Sequence, residues 1–569
     1  MIPVNWHGRT RLVCVALLAG TFLSGCEGTQ ADLVLVGGKI VTVSDDLPEA
    51  EALAIQGDRI LAIGSNEMIG ALVGTDTRVI DLDGQLAIPG FIESHGHFMG
   101  VGDAQLQLDL LTVESWEEIV SMVETAVREA TPGELIRGRG WHQEKWSSVP
   151  VGSVDGVPTH ATLSAVSPDN PVLLTHASGH ATFANRRAME MAEIGSDTPD
   201  PEGGQIVRDA GGQPTGMFRE RASGLLSPAR RGAAPADPRR RARLANDEAL
   251  SKGVTSFQDA GSGPQTIDLY REMIDAGELD VRLWVMISGS NDQLGAALAE
   301  YRTIGYGQDH LTVRAIKKSV DGALGPHGAW LLEPYLDLPE SSGLNTGPID
   351  ELRTTARLAL EHGYQLCVHA IGDRANREVL DVFETAFTAD PEGGTDLRWR
   401  IEHAQHLSAE DIPRFGELGI IASMQGIHAT SDAPYVLERL GPDRAEEGAY
   451  VWQKLMAAGA VISNGTDAPV EDLDPIASYY ATVSRRTRDG TVFYSDQRMS
   501  RMEALQSYTL NGAYAAFEEG SKGSLETGKL ADIVVLSRDI LTVAEEEIPE
   551  TEVVYTIIGG EVKYAREPG

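Results

Sequence analysis

An α/β barrel of eight strands, flanked by a small β domain and carrying an inserted lobe, is the fold this chain predicts. Three observations predict it. Hairpin-like segments stand at both ends, short apolar runs alternate with helical patterns between them, and one long stretch interrupts that alternation. With 569 residues and 42% apolar content, the chain is long enough for two or more domains around a large core.

The ends come first. "ADLVLVGGKIVTV", residues 31–43, reads as strand, glycine turn and strand, and "EALAIQGDRILAIG" at 51–64 repeats the pattern. Residues 523–537 and 553–565 read the same way. Together they predict one β domain built from 31–87 and 516–569; two separate β appendages are the alternative. The barrel then spans 88–515. Its strands are expected at 88–94, 254–258, 281–287, 312–317, 364–368, 399–402, 420–424 and 461–465, with helices at 115–130, 351–362 and 374–387. Parallel strands joined by helices close into a barrel whose site lies at the strands' C-terminal ends. The Pro-, Gly- and Arg-rich stretch from about 131 to 250 breaks the cadence and is expected to form a lobe beside that site.

Residues 1–26 are set apart. Arg9 and Arg11 precede the apolar run "LVCVALLAGTFL", which is short for a bilayer span and has the order of a secretory signal. "LSGC", ending at Cys26, resembles a bacterial lipobox. That resemblance implies a lipid on Cys26, an exported lipoprotein and, in a Gram-negative host, the periplasmic side of the outer membrane. A plain cleaved signal is the alternative. Cys367 is then the one thiol left, so no disulfide forms within one mature chain. The net charge of −37 disfavours nucleic acid and anionic lipid as partners and leaves a small-molecule substrate.

The candidate chemistry sits where the apolar runs end. His95 and His97 in "IPGFIESHGHFMG" share a face if the strand continues, because side-chain direction repeats every two residues. His369 follows "YQLCV", His403 follows "RWRIE", Asp467 follows "AVISNGT", and Lys317 and Asp321 lie in "VRAIKKSVDGALG". Imidazoles and carboxylates suit Zn²⁺, which lowers the pKa of bound water and polarises a carbonyl. Asp467 then serves as general base and later as general acid. Lys317 has two readings: a carbamate bridging two metals, or an amine paired with a carboxylate beside one metal.

These motifs, with "GWHQEKW", "SGHATFAN", "CVHAIGDRANR", "IEHAQHL", "SMQGIHATSD" and "GTDAPVEDLDP", resemble the amidohydrolase superfamily, in its YtcJ-like, family 3 branch. The resemblance runs through nearly all of the mature chain. It implies a metal-dependent (β/α)₈ barrel with a composite β-sandwich and one or two divalent ions, with His95 and His97 on the more buried metal. It also implies Lys317 as a carboxylated bridge, His369 and His403 on a second metal, and Asp467 as the water-orienting base. Trp141 and His142 then line a pocket or pack in a core. His180 and Asn185 meet substrate from the lobe, and His428 contacts it from a barrel loop. Glu220 and Asp259 are weaker candidates. Relatives often carry "GSRTA" where this chain has "GPHGA", so His327 replaces an arginine and removes a cationic anchor at that position. Glu93 and Gly96 depart from the more usual "DSHVH". Homodimers are common for the fold, and the chain carries no signal of its own for one.

The expected activity is hydrolysis of a C–N amide-type bond in an N-acyl or N-formyl compound. Ester or lactone hydrolysis, a non-hydrolytic isomerase or lyase, and a non-enzymatic ligand-binding lipoprotein are the alternatives.

Overall fold

The structure is a computed structural model and describes residues 30–231, 237–389 and 394–567. The signal segment and Cys26 lie outside the described residues.

Eight strands form the barrel: β1 (Phe91–Gly96), β2 (Val254–Ser262), β3 (Arg282–Ile287), β4 (Leu311–Ser319), β5 (Gln365–Ala370), β6 (Arg400–His403), β7 (Ile421–Gln425) and β8 (Ile462–Gly465). Each pairs in parallel with the next. The ring closes at its rim, where Asp467 N–H donates to His95 O at 2.8 Å and His97 N–H donates to Ala468 O at 2.7 Å. Closure therefore runs through the residues that carry the candidate chemistry.

The expected strand at 88–94 is two strands. Leu86–Pro89 pairs antiparallel with Ile533–Leu536 in the β domain, and β1 starts after Gly90. A Cβ on Gly90 would lie 2.2 Å from Thr255 Oγ1, so glycine is required where the chain crosses between sheets. An apolar run reads alike on both sides of such a crossing, which is why the sequence merged them.

The β domain is a sandwich. A four-stranded sheet from residues 33–81 faces a six-stranded sheet whose strands come from both chain ends, and Leu35, Ile55, Ile533 and Ile557 fill the space between. The sandwich is joined to the base of the barrel by an ion pair. Arg282, at the start of β3, donates to Asp532 Oδ2 at 2.8 Å and Oδ1 at 3.0 Å, with both side chains buried.

The lobe is a six-stranded sheet running from Leu108 to Glu220, so it begins ahead of residue 131. The helix expected at 115–130 is present as Trp116–Glu129, started by Ser115, whose Oγ accepts from Glu118 N–H. Its buried stripe of Trp116, Ile119 and Val123 covers the lobe sheet. The helix Pro238–Ser251 returns to the barrel wall, close enough to the helix Phe98–Ala104 that a Cβ on Gly102 would strike Arg241 O. Helices Ile349–His362 and Asp373–Ala389 lie where expected, and Gly363 ends the first with φ +68°.

Candidate metal centre at the barrel mouth

Each candidate group is carried to the mouth by a strand end. His95 comes from β1, Lys317 from β4, His369 from β5, His403 from β6, and Asp467 from the turn after β8. One imidazole nitrogen from His95, one from His403 and a carboxylate oxygen of Asp467 lie within 4.8 Å of one another. Asp467 Oδ1 is 3.6 Å from His95 Nε2 and 3.2 Å from His97 Nε2. Lys317 Nζ lies 3.2 Å from His95 Nε2. The His369 ring centroid is 4.4 Å from that of His403. His97 caps the following helix and keeps 42% of its side chain exposed, whereas His95 is fully buried.

Two backbone features aim these groups. Strand alternation would send Glu402 and His403 to opposite faces, yet both side chains meet His95 inside the barrel. His403 has φ +76° and Asp467 has φ +57°. Non-glycine residues in this region are uncommon and concentrate at functional sites.

A layer beneath fixes the imidazoles. Glu402 takes His95 Nδ1, and Gln425 Oε1 takes His403 Nδ1 at 2.8 Å, which leaves each Nε2 for the centre. Arg400 pairs with Glu402 at 2.8 Å and donates to Ser94 O and Ser423 Oγ. Burial pushes the Glu402 carboxyl up, but Arg400, His95 and Lys317 outweigh it and hold it low. Glu93 is buried under the closing turn, where it accepts from Thr466 N–H at 2.7 Å and Thr466 Oγ at 3.0 Å; burial raises its pKa to about 8. None of Glu402, Arg400 or Gln425 was singled out in the sequence. Glu402 had one available signal, its place directly before His403.

Protonation follows burial and charge. Burial lowers His95 to about 4, and it also lowers His369, His403 and the Lys317 amine. These imidazoles are neutral near pH 7, the form that binds a metal. Burial acts to raise Asp467, but its contacts with the surrounding imidazoles, led by the hydrogen bond from His97, hold it well below the usual carboxylate range. Among the described residues, the buried His369 Nε2 has no hydrogen-bond partner, with Asp321 Oδ1 3.6 Å away. A divalent cation fits this set: neutral imidazoles, an ionised carboxylate and an orphaned buried nitrogen.

The remaining candidates divide. A cleft of about 50 Å³ over the centre is lined by His142, His180, His369, His403, His428 and Asp467, with Gln405, Asp432 and Tyr435. His180 Nδ1 holds Glu220 Oε2 at 2.9 Å, and His428 accepts from Gln405 and stacks on His403. Five candidates brace loops or the lobe instead of lining this cleft. Trp141 is in the lobe core, donating to Leu174 O at 2.9 Å. Asn185 caps the helix Arg186–Met191 and bonds Ser167 and Asn170 within the lobe. Asp321 accepts from Trp330, Ile371 and Gly372 N–H groups and braces the loop after β5; burial raises it to about 7. His327 bonds Asp337 at 2.9 Å in its own loop. Asp259 supports the turn after His97, accepting from Phe98 N–H and Tyr270 OH.

A parallel eight-stranded barrel with a His/His/Asp centre at its mouth defines a metal-dependent hydrolase. The chain belongs to the amidohydrolase family, whose pattern it matches over residues 78–564. It is 33% identical to Protein LONG AFTER FAR-RED 3 of Arabidopsis thaliana, covering 94% of this chain and 92% of that protein. It is 30% identical to the putative amidohydrolase YtcJ of Bacillus subtilis (93% and 99%) and 28% identical to the N-substituted formamide deformylase of Arthrobacter pascens (94% and 98%). An uncharacterised metal-dependent hydrolase from Pyrococcus horikoshii superposes with a TM-score of 0.71 at 26% identity, over 90% of this chain and 99% of that one.

Proposed function

We propose that this enzyme hydrolyses the C–N bond of a small N-acyl or N-formyl compound. The observation that carries the reading is the ionised, buried Asp467 beside neutral His95 and His403. Those three residues would hold the metal. When bound, it lowers the pKa of a water and polarises a carbonyl.

Asp467 accepts a proton from the attacking water as the new C–O bond forms. It returns that proton to the nitrogen as the C–N bond breaks, releasing a carboxylate and an amine. His180, oriented by Glu220, faces the cleft across from His369 and is positioned to donate to the substrate carbonyl. His142 from the lobe stacks on Tyr435 of the barrel helix Gly426–Leu440 at the wall of the cleft. The likeness to a formamide deformylase supports an N-formyl or related amide.

Zinc is the proposed ion, from the nitrogen and oxygen donors. A second ion at His369, bridged by carboxylated Lys317, is supported by the orphaned His369 Nε2 and the place of Lys317 beside His95. Elemental mass spectrometry on residues 27–569, followed by an amide and formamide screen, tests both readings. Two ions per chain are expected. One ion returns Lys317 to an amine role, and none after loading with zinc and bicarbonate overturns the hydrolase reading. Export as a lipoprotein through Cys26 is also proposed, from the "LSGC" motif. Labelled fatty acid should enter the wild-type chain and not Cys26→Ser.

A further inference from the structure

A cavity of about 730 Å³ opens beside the metal centre, between the lobe and the barrel mouth. His142, Lys145 and Ser431 line both this cavity and the narrow cleft over His369, His403 and Asp467, so the two spaces adjoin at these side chains. Its apolar walls come from three stretches distant in sequence: Leu111 from the lobe, Pro434 and Leu437 from the helix Gly426–Leu440, and Val492, Phe493 and Tyr494 from the segment after β8. These side chains are only partly sealed into the core. Leu437 is 46% exposed, and Leu111, Val492 and Tyr494 are half-buried. Contiguous apolar surface left open beside a catalytic cleft marks a ligand wall.

Four charged side chains line this cavity: Glu144, Lys145, Arg488 and Asp489. Arg488 pairs with Glu114 across the gap to the lobe, Glu144 with Arg439 at 2.9 Å, and Lys145 Nζ donates to Leu111 O at 3.3 Å. Lys145 and Asp489 form no ion pair among the described residues and hydrogen-bond only within the protein, so the apolar walls and not the charges define this space. The cavity on the other side of the centre, about 610 Å³, is more mixed: Arg221, Lys318, Ser319, Thr346 and Glu351 line it together with Val320 and Leu352.

We propose that the lobe-side cavity is the subsite for an uncharged apolar arm of the substrate, an alkyl or aryl group. The proposal rests on the amide-hydrolase reading and names the substrate class within it. Leu437, at the open edge, sets the preference for length and apolarity.

The test uses the metal-loaded chain from residue 27 and two series of neutral probes. N-alkylformamides from methyl to hexyl place the arm on nitrogen. N-methylalkanamides from acetyl to heptanoyl place it on carbon. In one series, kcat/KM should rise about fourfold for each methylene that enters the cavity. Leu437→Asp should reduce the hexyl-to-methyl ratio of kcat/KM at least tenfold. Turnover with flat profiles in both series, or an equal effect of Leu437→Asp on short and long probes, overturns the subsite and leaves the amide reading standing. Absence of turnover on every probe overturns the amide reading instead. The subsite is then decided by calorimetry with N-hexylformamide: saturable binding weakened tenfold by Leu437→Asp supports it, and no binding overturns it.

Discussion

The two ends of the barrel use polar residues in opposite ways. At the base, charge is paired: Arg282 holds Asp532 with two hydrogen bonds, and between base and mouth Arg400 holds Glu402, Ser94 O and Ser423. At the mouth, imidazole and carboxylate atoms face one another, with the Lys317 amine beside His95 Nε2. Among the described residues, His369 Nε2 has no partner, and His95, His403 and Asp467 converge on one point. The base specifies geometry, and the mouth keeps ligand atoms free. A barrel that paired its mouth as it pairs its base would be stable and inert. The assignment of activity to the C-terminal ends of the strands thus has a direct physical counterpart here.

Substitutions at the two ends should separate these roles. The largest effect belongs to the mouth. Asp467→Asn should lower kcat by about 10²–10⁴-fold, as expected for loss of a general acid–base, while elemental analysis finds metal still held by the histidines. Activity within tenfold of wild type would remove Asp467 from the chemistry and weaken the contrast.

At the base, Asp532→Asn leaves Arg282 buried without its charge partner and should cost about 3–5 kcal/mol at pH 7 by denaturant unfolding. Burial raises the Asp532 pKa, but Arg282 outweighs it, so the folded value is depressed. A depressed carboxylate stabilises above its unfolded value, near 3.9, and loses that contribution as pH falls through the lower folded value. The difference between wild type and variant should therefore shrink below about pH 4. A difference constant from pH 7 to pH 3 would contradict the ion-pair account.

Glu402→Gln tests the joint between the two ends. It should weaken metal binding by about 10–100-fold in chelator competition, because Glu402 fixes the His95 tautomer. The smallest effect on turnover lies in the lobe. Asn185→Ala removes a helix cap and buried hydrogen bonds to Ser167 and Asn170 and should cost about 1–3 kcal/mol, with kcat/KM on a short amide held within twofold. A large kinetic loss would bring Asn185 back to the substrate.

Much of this contrast could be read from residues. All eight barrel strands follow from apolar runs bounded by turn residues, and the polar group after five of them was legible as a candidate. Two failures have definite causes. The crossing at Gly90 hid inside one apolar run. The lobe began earlier than expected because its first strand, Leu108–Asp109, has only two residues and gives no period. The supporting layer was harder still. Arg400, Glu402 and Gln425 look like ordinary polar residues until the barrel closes around them. Asn185, Asp321, His327 and Trp141 stood in distinctive motifs, yet their hydrogen bonds bind loops and the lobe.

The sequence by itself determined the elements: their order, their periodicity and the residue types at each strand end. Those depend on neighbours within a few positions. Tertiary structure alone decided which nitrogen of each histidine faces the centre, which carboxylates are paired, and where the apolar cavity opens. The contacts between His95 and Glu402, between Arg282 and Asp532, and among Leu111, Leu437 and Val492 join residues far apart in the chain. Local pattern carries no information about such distances until the barrel closes and the lobe folds over its mouth.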